Sequence, residues 1–214
     1  MPADWIEALG IRDAATGAAA ARAARERILE PAKRVIGTSG DITRRFLVFT
    51  GFVSRAQCLH EAAVQMIAAE NPHASFTLLR AYAENAAAIL FAKDHPNLVD
   101  NFLDVDGHGI SIGRITNYAD KRFGEFKGIY SQLSKFAHPQ ALGLLSSTSV
   151  AEAGTLQWSS APHFKKPEDQ LIAYAWAVEI AEATRHLLYE FAERYGLGYF
   201  GTPHGSVDAP PPPP

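Results

Sequence analysis

Residues 46–67 read FLVFTGFVSRAQCLHEAAVQMI. Phe46, Phe49, Val53, Ala56, His60, Ala63 and Ile67 recur in alternating steps of three and four, which keeps one face of an α-helix continuously inward. Phe52, Leu59 and Met66 flank this seam at sevenfold spacing and widen it into a core-facing stripe. Asp41 is placed to cap the helix and Asn71-Pro72 to end it, so it spans roughly 30 residues, or ~45 Å at 1.5 Å per residue. That length predicts a helical bundle. Leu47 and Val48, apolar on a side away from part of the seam, predict a second copy lying along it as a homodimer.

Working outward, Pro72 opens another helix through Lys93, with Leu78, Leu79, Tyr82, Ala86, Ile89 and Leu90 on one face. Phe76, Arg80, Glu84, Ala87 and Phe91 line the adjoining face, and Asp94-His95-Pro96 stops the run. Short helices are expected over 97–103, 111–123 and 125–137, the last ending at His138-Pro139. Leu142 to Leu145 and Thr155 to Trp158, separated by Ala153-Gly154, read as a small hairpin or cover loop. Pro167-Glu168 opens a final long helix to about Tyr195, with Leu171, Tyr174, Val178, Ala181, Leu188 and Phe191 inward.

Upstream, residues 13–35 are alanine-rich with interspersed Arg and Glu, good helix material that carries few large apolar side chains. Pro31 is expected to interrupt the end of this segment, and the segment to pack on the outside of the domain. The fold class expected is all-α: an antiparallel bundle of three long helices and several short ones, with a small β-hairpin inserted before the last helix. The chain divides into an Ala-rich helical segment over 1–40, a helical bundle domain over 41–198, and a Pro-rich tail over 199–214. Five terminal prolines predict that the tail is extended and disordered.

Composition narrows the function classes. The 214 residues carry 20 Lys+Arg against 23 Asp+Glu, a net charge of −3, which argues against coating DNA or an acidic membrane. Cys58 is the single cysteine, so no internal disulfide forms and a reducing, cytoplasmic location is expected. No apolar run is long enough to span a bilayer, and the acidic start at Asp4 and Glu7 lacks signal-peptide order. Gly-rich phosphate loops and the Gly-x-Ser-x-Gly elbow are absent. The run from Asp104 to Gly109 begins like a calcium loop without the later ligands. Glu179, Glu182 and His186 share a face of the last helix, yet neither Glu179 nor Glu182 has a His three residues on, so no metal and no cofactor are expected.

One segment concentrates polar chemistry. Tyr130, Ser134 and His138 align four residues apart, with Ser131 and Lys135 beside them. A histidine ending a helix gains from the negative end of the helix dipole, which accounts for His138 without catalysis. Arg80 and Glu84 stand at i, i+4 and form either a structural ion pair or part of a site. Converging between two helices, Arg80, Glu84, Tyr130, Ser134 and His138 would satisfy one another or position a ligand anion. His60, alone in the apolar seam, bonds a carbonyl or a tyrosine if buried and is otherwise a candidate binding residue.

Leu133-Ser134-x-x-x-His138, preceded by Tyr130 and following the Arg80-x-x-x-Glu84 helix, resembles bacterial all-helical families related to the HEPN superfamily. The resemblance covers about residues 41–195. It implies a dimer of helix pairs and, in many members, metal-independent ribonuclease or toxin activity. Such activity uses an Arg, then four to six intervening residues, then the catalytic His; here that window before His138 holds no Arg, and lysine does not replace a bidentate guanidinium at phosphate. The expectation is therefore a non-enzymatic interaction or ligand-binding module acting as a homodimer. The alternative is a ribonuclease with His138 as acid or base, Arg80 or Lys135 supplying positive charge, and Ser134 and Glu84 beside them. RNA or a small anionic ligand are the partners these readings imply, and a membrane is not.

Overall fold

The computed structural model describes residues 3–38, 42–104, 109–124, 126–137, 147–150 and 154–198. Seven α-helices run through these residues: α1 (Asp4–Ala8), α2 (Ala14–Thr38), α3 (Arg44–Ala68), α4 (Pro72–Asp94), α5 (Ile112–Arg122), α6 (Phe126–Ala137) and α7 (Pro167–Arg194). A 3₁₀ turn, Val99–Leu103, follows α4. Strands β1 (Thr148–Val150) and β2 (Leu156–Trp158) pair antiparallel, Thr148 opposite Trp158 and Val150 opposite Leu156. The all-α bundle with a hairpin before its last helix is the observed architecture. The hairpin's first arm is Thr148–Val150; Leu142 to Leu145 lie outside the described residues, as do the tail over 199–214 and most of the calcium-like loop.

Local chemistry fixes the helix starts. Asp13 Oδ1 accepts from Thr16 N at 2.8 Å while Thr16 Oγ1 accepts from Asp13 N at 3.0 Å, a reciprocal cap at the head of α2. Thr43 caps α3, accepting from Phe46 N at 3.1 Å; the expected cap, Asp41, is outside the described residues. Asn71 caps α4 through Ala74 N at 3.1 Å, and Pro72 occupies the first turn, where a missing N–H leaves no bond unmade.

The seam of α3 is buried from Phe49 to Ile67, and Val48, expected on a free side, is buried with it at 3% exposure. Leu47 remains outside. The largest correction concerns α2. Ala21, Ala24, Ile28, Ala32 and Val35 are all buried, and α2 packs more extensively on α7 than any other pair of helices does. A stripe of alanines looks weakly apolar in sequence, yet small side chains are what let two helix backbones approach closely. A fourth long helix thus joins the three expected. Gly17 shows the same economy of volume, for a Cβ there would lie 2.7 Å from Tyr174 Cδ2 on α7. Pro31 sits inside α2 and does not end it; it withholds one N–H from the ladder while its fixed φ suits a helix.

Helix α4 lies at the centre, packed by α3, α7, α6 and α5. Ala83, Ala86, Ala87, Ala88 and Ala92 are buried along it. This helix carries the polar residues singled out in the sequence.

Candidate functional site

Helices α4 and α6 pack antiparallel through two contacts. Near the start of α4, Phe76 stacks on Phe136 with ring centroids 4.2 Å apart. Further along, Arg80 and Glu84 meet Tyr130. Arg80 Nη2 donates to Tyr130 Oη at 2.8 Å, and Arg80 Nε lies 3.2 Å from Tyr130 Oη and 3.1 Å from Glu84 Oε1. Tyr130 Oη in turn donates to Glu84 Oε1 at 2.7 Å. The guanidinium also sits 5.0 Å from the centroid of the Tyr130 ring.

The arrangement is a closed ring of charge-assisted bonds, with the Arg80 and Glu84 side chains only 22% and 18% exposed. Burial disfavours the charge on Arg80, but the Tyr130 hydroxyl and the Glu84 carboxylate outweigh it and hold the guanidinium's pKa above its ordinary value. Burial and then Glu84 push the Tyr130 phenol up, with Arg80 opposing. The phenol accordingly stays protonated through the physiological range and keeps donating. Chemically the trio fastens α6 to α4.

The other sequence candidates divide. Ser134 Oγ donates to Tyr130 O at 2.7 Å within its own helix, so it braces α6 beside the trio. Lys135 is exposed on the outer side. His138 lies outside the described residues, so the trio stands without a placed imidazole. His60 belongs elsewhere, in the core at 1% exposure, its Nε2 donating to Ala21 O at 2.8 Å and its ring edge-on to Tyr82. With Nε2 carrying the proton, Nδ1 is the bare ring nitrogen, and it finds no hydrogen-bond partner among the described residues. Burial lowers the His60 pKa, which keeps the ring neutral and joins α3 to α2 through one hydrogen bond.

A feature missing from the sequence reading opens beside the trio. Between α4, the α5–α6 pair and α7 lies a cavity of about 540 Å³. Its floor is Ala83, Ala86 and Ala87 of α4; Phe123, Phe126, Ile129 and Tyr130 form one wall; Trp176, Ile180, Ala183 and Leu187 of α7 form the other. Because α6 is held on α4, it stands off α7 and the alanine floor stays open. Lys93, Arg122, Glu179, His186 and Glu190 complete the lining. The sequence signal was present in Phe123 and Ile129, apolar residues on short helices with no seam of their own; both are exposed here. Among the described residues no group of three or more His, Cys, Asp or Glu side chains is placed to hold a metal ion.

Replacing Tyr130 by Phe removes the shared hydroxyl from two charged partners. The fold is expected to lose about 1–3 kcal/mol in urea denaturation, with hydrogen-exchange protection falling first across 126–137. An unchanged midpoint would show that the trio does not hold α6. For His60 the sign follows from its lowered pKa. The folded state stays unprotonated where the unfolded chain binds a proton, so stability is complete above about pH 6.5 and falls as pH drops below it, by up to about 1.4 kcal/mol per unit. Urea midpoints between pH 7.5 and 5 should decline in the wild type and flatten in His60→Gln, and matching slopes in the two would remove His60 as the cause.

No family model, curated protein or solved structure matches this chain in the comparisons with known proteins.

Proposed function

We propose that this protein is a non-enzymatic, HEPN-like ligand-binding module acting as a homodimer, with the cavity between α4, α6 and α7 as its binding element. The observation that carries the reading is the combination of volume and lining. About 540 Å³ falls in the range of small-molecule sites, walled by aromatic and aliphatic side chains with a few polar groups at the edge. A neighbouring polar trio whose bonds are already closed supports a positioning role for Arg80, Glu84 and Tyr130, because a wall fixed before binding loses less entropy on binding. Ribonuclease chemistry at His138 draws no comparable support. Arg80, the cation it would borrow, is engaged with Tyr130 and Glu84.

Support for the homodimer comes from Ile42, Leu47 and Ile112, which are 79%, 46% and 45% exposed. Leu47 and Ile112 border a shallower hollow of about 280 Å³ between α3, α4 and the 3₁₀ turn. No helix among the described residues is long and apolar enough to cross a membrane, so these side chains are not part of a spanning helix.

Two measurements test the proposal. Nile red, a neutral apolar dye, is expected to brighten and shift to the blue on the purified full chain. Ala183→Trp should abolish that signal, because Ala183 is an exposed wall residue whose enlargement fills the cavity and costs the helix only about 0.5 kcal/mol in propensity. Dye binding untouched by this substitution would remove the cavity as the site. Sedimentation is expected to return twice the 23.2 kDa chain mass, and Leu47→Glu to halve it; a wild-type monomer at micromolar concentration would overturn the dimer.

A further inference from the structure

The charged groups around the cavity are unequally committed. Lys93 Nζ lies 2.6 Å from Glu190 Oε2 and 3.5 Å from Asp94 Oδ1, and Arg122 Nε lies 3.7 Å from Asp94 Oδ2. Lys93 is thus closely paired, and Arg122 holds a looser pair at the exposed rim. His186 Nε2 is 2.9 Å from Glu182 Oε1 and is engaged as well. Glu179 differs, having neither a hydrogen bond nor an ion pair among the described residues.

Its position matters as much as its charge. On α7 the wall runs Trp176, Glu179–Ile180, Ala183, His186–Leu187, a spacing that keeps all of them on the cavity side. Glu179 is one turn from Trp176 on the same cavity-lining side of α7, and Phe126 lies on the opposite wall. We infer that the cavity takes a lipophilic cation, an amine or quaternary ammonium carried on a flat apolar body, with Glu179 as its counter-ion.

Three features select that class, and the inference rests on the ligand-binding reading above. The alanine floor and aromatic walls accept a flat apolar body. Aromatic faces attract a cation and are indifferent or repellent to an anion. Glu179 is exposed at the rim of the apolar cavity, and the partial burial of its unpaired carboxylate raises its pKa. A neutral ligand would desolvate that carboxylate further without compensation, and an anion would meet Glu179 with no uncommitted cation in the lining to offset it. Only a cation improves the electrostatics of the site when it enters.

The test uses the full chain and two fluorescent probes, cationic ethidium and neutral Nile red. Ethidium is expected to bind the wild type and to lose about ten-fold in affinity in Glu179→Gln, the scale of a partly exposed charge pair reinforced by aromatic contact. Nile red affinity should stay the same or rise in that variant, which keeps shape and helix while deleting the charge. Ala183→Trp should block both probes. Ethidium binding that is equal in wild type and Glu179→Gln, or weaker than that of the anion anilinonaphthalene sulfonate, overturns the cation assignment while leaving the cavity a ligand site. Failure of every probe to bind overturns the ligand-binding reading itself.

Discussion

Helix α4 is approached by four other helices at once, and the small side chains interspersed along it let them come close. Larger side chains at Ala83, Ala86, Ala87, Ala88 or Ala92 would push α3, α5–α6 or α7 outward and open the core. Between those alanines α4 also buries Phe76, Leu79, Tyr82, Ile89, Leu90 and Phe91. Phe49, Phe52 and Phe191 interlock between α3 and α7, with centroids 6.0–6.1 Å apart. On α4 itself, Phe76 is flanked by Phe136, Phe164 and Trp176. The bundle is thereby organised around a central helix that alternates small and large buried side chains.

Against that background the polar contacts differ greatly in weight. Ion pairs joining α2 to its neighbours, Arg185–Glu30 at 2.9 Å, Arg27–Glu182 at 3.3 Å and Arg25–Glu61, lie at the surface and contribute at most about 1 kcal/mol each. Arg80, Glu84 and Tyr130 are more enclosed, and each accepts or donates to both of the others. They join α6 to α4 beside the open alanine floor.

Much of the fold was legible because it depends on periodicity. Phe49, Val53, Ala56, His60, Ala63 and Ile67 are all buried, as their spacing requires, and the inward face of the last helix from Leu171 to Phe191 follows the same rule. Hydrophobicity was a poorer guide to depth. The alanines of α2 understated how far that helix enters the core, since close approach depends on small volume as much as on apolarity. Of the polar group, the i, i+4 pair and its meeting with Tyr130 could be read from face alignment, whereas His60 turned out to serve the α2–α3 junction. The cavity was not legible at all. It lies between α6 and α7 where both pack on α4, and a pattern of residues encodes contacts far more directly than gaps.

The alanine run in α2 raises a problem of alignment that a single glycine resolves. Ala18 to Ala21, Ala23 and Ala24 offer nearly interchangeable knobs, so a slide of one helical turn along α7 would exchange one methyl for another with little penalty. Gly17 breaks that degeneracy. Tyr174 fills the notch left by its missing Cβ, and moving the helix by a turn would drive the methyl of Ala20 or Ala21 into the same ring. The absence of one carbon atom therefore works as a keyway for the alanine stretch, adding to the axial setting that the buried Ile28 and Val35 give the rest of the helix.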